Sequence, residues 1–482
     1  MTPIVNQFNR FALNNKSIIE KALTSAVGTG DALIPQNLEE QITDTVIRLS
    51  PEMALVTTKD MMGAKLHEFN QLTQRPAPGG AMGENATTPI TNSKTVRQSV
   101  NLQVIRRKGK VTNFLNDASR KYIDAASYEM MNHLQAHVLD VIYYMLYGNK
   151  DLTSVVNAVQ NVAPVVEFDG LDKFIATNRF DFGGQKPTDL SLLDHMIDAS
   201  NRKGGARHRR VFGMSPEMLS KFSSLLTNVR LVQGLSGSGI TQVDIGGGWR
   251  LNAYRDIPII ETTSTSIVET TTVTATATAG SAVGSLSNGT FKFKVAPVTL
   301  AGEQAPSAET SVTLNGGTST QSIKITLGAS FSGVDQAISY KIYGTSGAAN
   351  SETLLKIVSA TTYDSEGSPV DYNNGISGND IQILSMTPGT DVPVGMQNDV
   401  PLTQDGTTKA WDEIIYLWDL DPIQGLGKVP FTNVAGDQFN GLVTTKPLAE
   451  VDDYIQFLVK SYCALTPSFE ATSCWARRIR KA

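Results

Sequence analysis

The sequence is poor in the residue types that most often carry catalysis or hold metals. Its 482 residues include two cysteines, Cys463 and Cys474, and five histidines. So low a cysteine content excludes a disulfide-dense secreted scaffold. We expect reduced thiols in a cytosol-made protein, with a disulfide as the alternative. No apolar run approaches the roughly 20 residues of a membrane helix, and Met1–Asn15 lacks the pattern of a secretory signal.

The motifs of common active sites are missing as well. The sequence has no GxxxxGK[ST] phosphate loop, no GxSxG elbow and no HExxH zinc motif. His133 and His137 have the spacing that would let them share a metal on one helix face. No acidic or cysteine ligand completes the set, which favours packing or surface histidines. We therefore predict a protein that is not an enzyme, with no catalytic residue, no cofactor and no metal.

Arginine, histidine, cysteine and tryptophan are all absent from one central segment, Thr263–Gly395. This segment has five lysines against ten acidic residues, which accounts for the whole net charge of −5. Short alternating runs separated by Gly, Asn and Ser turns follow its threonine-rich start. The pattern predicts an antiparallel β-sandwich. The composition of the flanking sequence returns near Pro401, so we expect the sandwich to be an insertion.

A second segment, Lys65–Lys110, is strongly basic, with eight Lys or Arg against two acidic residues. Its middle is rich in Pro and Gly, and its flanks alternate apolar and polar residues. The pattern predicts a strand pair with a long tip. Such a hairpin has little apolar surface to bury on itself, so we expect a partner chain to contact it. The predicted contact residues are Arg75, Glu84, Lys94, Arg97, Arg106, Arg107, Lys108 and Lys110.

The region that precedes this hairpin has the opposite charge. Asp31–Asp60 carries six acidic residues against two basic ones, and Asp31–Ser50 has the apolar spacing of a helix. Complementary surfaces favour docking of the hairpin of one copy onto the acidic region of another. The predicted acidic contacts are Asp31, Glu39, Glu40 and Asp44. The alternative is a solvated ribbon on a soluble domain.

Beyond the hairpin, the pattern predicts a long helix and then a compact α+β region. The helix should run from Asn116 or Asp117, as N-cap, to Tyr147, a length of roughly 45 Å. From Val165 onward we predict short elements that flank the central segment: helices over 190–201 and 215–226, and strands over 209–214, 249–254, 257–260, 411–418 and 454–462.

Two further basic segments have more than one interpretation. Arg202–Arg210 is either a phosphate-binding loop or a solvated or ion-pairing loop between subunits. The absence of interleaved aromatic residues favours the second. The end of the chain, Arg477–Lys481, either contacts packaged nucleic acid or is a solvated terminus, and the sequence favours neither.

These parts resemble known families. Phe291–Ser307 and Ala337–Gly344 are similar to fibronectin type III or immunoglobulin-like domains. The order of arm, basic hairpin, long helix, compact domain and returning strands resembles the major capsid protein of tailed double-stranded DNA phages, the Hong Kong 97 type fold. The resemblance implies an α+β phage capsid fold plus an inserted all-β sandwich. Its parts would be an N-terminal arm and short helix (1–60), an E loop (61–115), a spine helix with peripheral sheet (116–165), an axial domain (166–262), the insertion (263–395) and a return to the axial and peripheral domains (396–482).

The resemblance also implies a function. The chain would self-assemble into hexamers and pentamers of an icosahedral shell that encloses the phage genome. It would be assembled in the host cytoplasm and located in the virion. Expected partners are further copies of itself, portal, scaffolding and decoration proteins, and packaged double-stranded DNA contacted non-specifically, with no membrane. Some relatives crosslink a hairpin lysine to an asparagine of a neighbour. Lys94 is the one lysine well inside this hairpin, but no matching asparagine can be assigned.

Two other functions fit the same sequence. The chain could be a phage surface adhesin or tail component in which the sandwich binds a host glycan. It could also be an encapsulin-like shell, a cellular nanocompartment of the same fold. The inserted sandwich and the chain length favour the viral shell.

Overall fold

The fold is seen in a computed structural model. It describes the residues 52, 57–60, 66–77, 80–87, 90–119, 124–155, 162–164, 167–183, 185–204, 209–233, 240–246, 249–262, 273–280, 282–299, 302–316, 320–327, 337–360, 362–363, 369–371, 380–401, 413–421, 428–431, 444–448, 453–466 and 469–479. The predicted helix over Asp31–Ser50 lies outside these residues.

The described residues form helices and strands in a mixed α and β arrangement. The helices are α1 (Asn113–Ser119), α2 (Ala125–Tyr147), α3 (Leu171–Phe174), α4 (Ser191–Arg202) and α5 (Pro216–Gln233). The strands are β1 (Thr57–Asp60), β2 (Leu66–Gln74), β3 (Lys94–Asn101), β4 (Gln103–Thr112), β5 (Thr153–Val155), β6 (Val162–Pro164), β7 (Arg179–Asp181), β8 (Arg210–Met214), β9 (Ile240–Gly246), β10 (Trp249–Tyr254), β11 (Ile257–Glu261), β12 (Ala275–Ala279), β13 (Gly289–Thr299), β14 (Gly302–Glu303), β15 (Thr310–Leu314), β16 (Ile323–Leu327), β17 (Ser339–Thr345), β18 (Thr353–Ser359), β19 (Thr362–Tyr363), β20 (Pro369–Asp371), β21 (Asp380–Ile383), β22 (Glu413–Asp419), β23 (Lys428–Phe431), β24 (Thr444–Pro447), β25 (Tyr454–Cys463) and β26 (Cys474–Ile479).

One seven-stranded sheet combines strands from both sides of the central segment. Its order is β7-β26-β22-β8-β11-β10-β9. The returning strands β22 and β26 lie inside this sheet, and β22 pairs antiparallel with β8 at Leu417↔Phe212. Residues on both sides of Thr263–Gly395 therefore belong to one sheet, because neither side completes it alone.

Strand β22 is buried on both of its faces. Tyr416 and Trp418 belong to a core with helix α2, while Ile415 and Leu417 belong to a second core with helices α4 and α5. Successive residues of a strand point to opposite faces, so a sheet covered on both sides gives a continuous apolar run. The aromatic rings stack on the α2 side, with the Tyr416 and Trp418 centroids 4.1 Å apart.

A second sheet lies under helix α2. Strand β25 pairs antiparallel with β4 along the whole of both strands, and β24, β23 and β1 complete the sheet. Gly109 lies opposite Phe457 in this register. A Cβ at Gly109 would lie 2.2 Å from the Phe457 ring, so the close approach of the aromatic side chain requires glycine.

The long predicted helix is two helices. Helix α1 ends at Ser119 and helix α2 begins at Ala125, with Asp124 as its N-cap. The Asp124 carboxylate accepts hydrogen bonds from the backbone N–H groups of Ala126 and Ser127. The predicted N-cap at Asn116 or Asp117 was therefore wrong for this helix. Helix α2 spans roughly 35 Å at 1.5 Å per residue, which shortens the predicted spine by one quarter.

The basic end of the chain is not a solvated terminus where it is described. Arg477 and Arg478 lie in strand β26 and are buried. Arg477 pairs with Asp399 and Asp181, and Arg478 pairs with Asp181 at 3.3 Å. Because buried arginine needs carboxylate partners, both predicted roles of these two residues, solvated or nucleic-acid-binding, were wrong.

The described part of the central segment, residues 273–383, contains strands and turns. Strands β12, β16 and β21 form one sheet, and β13, β14, β15, β17 and β18 lie in another. Side chains from both sheets form a common apolar core, which includes Phe293, Ile323, Ile325, Ile342 and Ile381. The short alternating runs from which strands were predicted in this segment correspond to β13, β15, β16, β17 and β18.

This segment shares a sheet with β5 and β6, which follow helix α2 in the chain. Strand β18 pairs parallel with β5 at Val358↔Thr153. Leu152, from the parent domain, shares a small apolar cluster with Ala296, Tyr343 and Ile357. The ion pair of Lys341 with Glu303, 2.9 Å from Nζ to Oε2, lies close to this cluster. Burial alone would raise the pKa of Glu303, but the charges of Lys341 and Arg478 lower it. The attachment is therefore both apolar and electrostatic.

Candidate assembly interface

The predicted basic hairpin is present as strands β2 and β3, but it ends at Asn101 and not at Lys110. The predicted boundary was wrong because Gln103–Thr112 pairs with β25. Strands β2 and β3 pair antiparallel from Leu66↔Asn101 to Gln74↔Lys94, with a register shift near Thr73. Within the described chain, these two strands pair with no other strand. The base of the hairpin is anchored, because Val100 packs against the core under helix α2. Most other side chains of the two strands are exposed.

The two faces of the hairpin differ in chemistry. Residues directly opposite each other in an antiparallel pair share one face. One face carries the Glu68–Arg97 ion pair, at 3.3 Å between exposed side chains. The other carries His67 and Phe69, whose rings stack with centroids 5.9 Å apart, and Val96. A partner can therefore meet either an ion-paired face or a partly aromatic one.

The tip exposes apolar as well as charged side chains. Ile90 is 92% exposed and Leu72, nearer the base, is 55% exposed. The predicted contact residues Arg75, Glu84 and Lys94 are also exposed here. A turn closed by the bond from Ala86 N–H to the Gly83 carbonyl, 3.0 Å long, lies beside Glu84. The tip thus presents a mixed surface to its surroundings.

The basic residues at the hairpin base are divided between two sides of a sheet. Arg106, Lys108 and Lys110 are exposed on one face of strand β4, while Arg107 faces helix α2. The Arg107 guanidinium binds both carboxylate oxygens of Asp140, with 2.7 Å between Nη2 and Oδ1. Arg107 is therefore held within its own subunit, whereas its neighbours along the strand are turned outward.

The outward basic face includes a residue that sequence reasoning missed. Lys460 on strand β25 lies opposite Arg106 in the register, and its ammonium lies 5.0 Å from the ring centroid of Tyr462. Lys110 lies similarly over Tyr454, at 4.8 Å. We call Arg106, Lys108, Lys110 and Lys460 the basic stripe. No sequence signal links Lys460 to it, because the pairing joins residues more than three hundred positions apart.

The acidic residues predicted to meet the hairpin lie outside the described residues. Asp31, Glu39, Glu40 and Asp44 therefore stay a prediction. The described chain does show another exposed feature, an apolar patch where α1 meets α2, after the end of β4 that lies away from the hairpin. Phe114 is 79% exposed, and Leu115, Tyr128 and Met131 are also exposed.

The groups that sequence reasoning weighed for chemistry lie in the interior. His137 is buried and its Nε2 lies 2.8 Å from Ser461 Oγ. Burial lowers its pKa to about 4. Cys463 and Cys474 are free and buried, and burial raises the pKa of each thiol to about 12. His137, Cys463 and Cys474 are each enclosed by neighbouring side chains. Their surroundings therefore favour a structural role over proton transfer or nucleophilic attack.

Three further observations on the described residues concern metal binding, membrane insertion and the Arg202–Arg210 segment. Among them, no cluster of three or more His, Cys, Asp or Glu side chains is arranged to hold a metal ion. No helix in the same residues is long and apolar enough to cross a membrane. In the Arg202–Arg210 segment, Arg210 is buried and its Nη1 donates to Asn201 Oδ1 at 2.8 Å.

Comparisons with known proteins give similarity in structure at low sequence identity. A scan against protein-family models gives no match, and a search of curated proteins gives none either. The chain is similar to the holo-SrpI encapsulin complex from Synechococcus elongatus PCC 7942, at 9% identity and a TM-score of 0.40, over 95% of this chain and 98% of that one.

Two capsids give similar values. The capsid of a native GTA particle has 10% identity and a TM-score of 0.41, over 94% of this chain and 98% of that chain. The capsid of the cyanophage P-SCSP1u has 7% identity and a TM-score of 0.41, over 95% and 96%.

Proposed function

We propose that this chain is a structural shell subunit, the major capsid protein of a tailed double-stranded DNA phage. Copies of it would assemble as hexamers and pentamers into an icosahedral shell around the genome. The observation that carries the proposal is the hairpin of β2 and β3, which is anchored at its base and pairs with no other described strand. We infer that its partner is an identical subunit.

The physics of the hairpin supports a partner. An isolated two-stranded ribbon is marginally stable in water. Its outer edges leave backbone N–H and C=O groups ready to pair with another chain. It also holds Leu66, Leu72, Val96 and Ile90 in largely exposed positions. Covering these side chains removes apolar area from water at about 25 cal/mol per Å². A neighbouring copy supplies that cover at every position of a closed shell.

Charge supports the same arrangement. The basic stripe lies on the sheet beside the hairpin base, with Arg106, Lys108 and Lys110 exposed and Lys460 half-buried. Positive charge continues along the hairpin at Arg75, Lys94 and Arg97. We propose that these residues, with Glu84 near the tip, meet the acidic Asp31, Glu39, Glu40 and Asp44 of another copy. Complementary charges of this kind set orientation and register more than affinity.

The central segment has a bracing role in this proposal. We infer that residues 263–395 form an inserted, immunoglobulin-like sandwich on the capsid fold. Its own apolar core and its attachment next to the end of α2 support an independent unit held firmly on the subunit. Its acidic composition, five lysines against ten acidic residues, suits a solvated outer position.

Other partners follow from the role of a shell subunit. We propose portal, scaffolding and decoration proteins as partners and packaged DNA as a non-specific contact. The shell would be assembled in the host cytoplasm and remain in the virion. The alternative is an encapsulin-like nanocompartment shell, in which the same fold encloses no genome.

The test is assembly of the purified full-length chain, followed by light scattering and electron microscopy. Ile90→Glu places a charge at a tip position that is almost fully exposed in the single subunit. We expect it to abolish closed particles while the subunit keeps its circular dichroism spectrum. Asn92→Glu, at another exposed tip position, is the matched control. Wild-type protein that stays monomeric under all conditions would sink the proposal, as would full particle yield from Ile90→Glu together with a hairpin deletion.

A further inference from the structure

An amine and a carboxamide meet in the central segment, away from the assembly surfaces. Lys294 lies on strand β13, and Asn350 lies in the turn between β17 and β18. The Lys294 Nζ donates to Asn350 Oδ1 at 2.7 Å. The carboxamide carbon is one C=O bond, about 1.2 Å, from that oxygen, so the amine lies within about 4 Å of it. Reacting atoms in a near-attack geometry are about 3–3.5 Å apart.

A buried carboxyl group lies beside this pair. Glu352 has no exposed side-chain surface, and its Oε2 lies 3.6 Å from Lys294 Nζ, whose side chain is 17% exposed. Neither carboxyl oxygen of Glu352 accepts a hydrogen bond. A buried acceptor left in this state costs free energy. The arrangement is explained if Glu352 exchanges protons with the amine.

The neighbouring Glu309 orders the backbone beside the carboxamide. Glu309 accepts the backbone N–H of Asn350 at 3.2 Å. It therefore fixes the turn that presents the carboxamide, in which Asn350 has a φ of 60°.

We propose that Lys294 and Asn350 form an intramolecular amide bond, with Glu352 transferring the protons. Glu352 takes a proton from the Lys294 ammonium and leaves the free amine. The amine attacks Cγ of Asn350, and a new C–N bond forms. Glu352 returns its proton to Nδ2, the bond from Cγ to Nδ2 breaks, and ammonia departs. Glu352 then takes the extra proton of the attacking nitrogen, which leaves a neutral amide, and passes it to the ammonia, which leaves as ammonium. The reaction needs no oxidant, reductant or cofactor.

A second lysine–asparagine contact, between Lys173 and Asn149, has different surroundings from those of Lys294 and Asn350. Lys173 Nζ lies 2.7 Å from Asn149 Oδ1, but it is also paired with Asp151 and with Asp169 at 3.0 Å. Two carboxylates stabilise the ammonium form, which is not a nucleophile. The Asn149 Nδ2 is held as well, since it donates to the Asp391 carbonyl at 2.8 Å. We therefore expect no bond between Lys173 and Asn149.

The proposed bond would tie strand β13 to the β17–β18 turn across 56 positions of sequence. It closes a covalent loop within the acidic sandwich, so it resists local opening of that hairpin. The proposal does not depend on shell assembly, because all reacting groups belong to one chain.

The test is the intact mass of the purified full-length chain, followed by peptide mapping. We expect wild-type protein to be lighter than its sequence by one ammonia, with a branched peptide that joins Lys294 to Asn350. Lys294→Arg and Asn350→Ala should abolish the loss. Glu352→Gln should slow bond formation roughly 10²–10⁴-fold, the usual contribution of a positioned acid–base group. Lys324→Arg, on the other sheet of the same sandwich, should retain the loss.

Three results would overturn the proposal. The first is wild-type protein at its full sequence mass. The second is a loss confined to one linear peptide that contains Asn350, which indicates a succinimide rather than a crosslink. The third is a branched peptide that maps to Lys173 and Asn149. The wild-type measurement decides without any variant, so a misfolded variant leaves the test intact.

Discussion

Two strand pairs of this molecule have similar local patterns and opposite surroundings. In β2 and β3, alternating apolar side chains such as Leu72 and Val96 stay largely exposed. In β13 and β17, the corresponding side chains Phe293 and Ile342 are fully buried. Both pairs are antiparallel and regular in register over most of their length. The difference is that the second pair lies under a facing sheet of its own chain and the first does not.

This difference indicates how the two regions contribute to the protein. Burial of apolar area within the chain stabilises the subunit, so the apolar core of residues 273–383 should contribute to its free energy of unfolding. The hairpin contributes little until another molecule covers it. We therefore expect changes in the sandwich to alter folding and changes in the hairpin to alter assembly.

The largest effect should come from equal truncations in the two regions. Phe293→Ala removes a fully buried ring and leaves a cavity, so it should lower the free energy of unfolding by about 3–5 kcal/mol. Phe69→Ala, on the hairpin, should change it by less than about 0.5 kcal/mol. Urea unfolding of unassembled subunits, followed by circular dichroism, measures both. Similar costs at the two sites would break the comparison.

The second effect concerns pH and the buried Glu167, which accepts a hydrogen bond from Asn149 just after helix α2. Burial raises the pKa of Glu167 from 4.5 to about 8, while a hydrogen bond from Asn149 N–H opposes the shift. The folded state therefore holds a proton that the unfolded state has lost between these values. Stability should be fullest below about pH 4.5 as far as this group is concerned, and it should fall as pH rises towards 8, by at most about 1.4 kcal/mol per unit.

Glu167→Gln removes this dependence while it keeps the shape of the side chain. His137 acts in the opposite direction, because its lowered pKa reduces stability as pH falls from 6.5 to about 4. The Glu167 contribution should therefore be clearest between pH 6.5 and 8. Chemical unfolding of wild type and Glu167→Gln at several pH values measures it. If the free energy of unfolding changes equally with pH for both proteins in that range, the prediction is contradicted.

The smallest effect per site should come from the basic stripe. Reversing the charge of Arg106 and Lys108 to Glu should leave subunit stability nearly unchanged and reduce particle yield. Arg107 is kept, because its ion pair with Asp140 belongs to the subunit itself. Exposed ion pairs contribute roughly 0–1 kcal/mol each, but the effect repeats at every interface of a shell.

The matched control reverses Lys186 and Lys203, which are exposed elsewhere. Particle yield at increasing salt, measured by light scattering, provides the readout, since salt screens exposed charges. If both double variants assemble equally well, the stripe has no role in assembly. If only the stripe variant fails, the hairpin region is distinguished from the general surface.

Much of the secondary structure could be predicted, and the errors have physical causes. The hairpin was recognised because Gly and Pro at its tip exclude a helix and its flanks alternate. The single long helix was wrong because its apolar spacing continues across the break. The side chain of Asp124 decides where α2 begins, and an N-cap residue is not distinguished by periodicity. The acidic partner surface was predicted from charge alone and stays a prediction.

The sequence by itself determined the elements that depend on neighbouring residues: the strand pair of the hairpin, the amphipathic helices and the separate composition of Thr263–Gly395. Only the tertiary structure decided which charged side chains are buried. Arg477 and Arg478 are buried because β26 lies inside a sheet beside Asp181 and Asp399, which are distant in sequence. Arg107 faces inward and Arg106 outward for the same reason: the α2 helix covers one face of β4. Burial depends on contacts between remote segments, which no local pattern specifies.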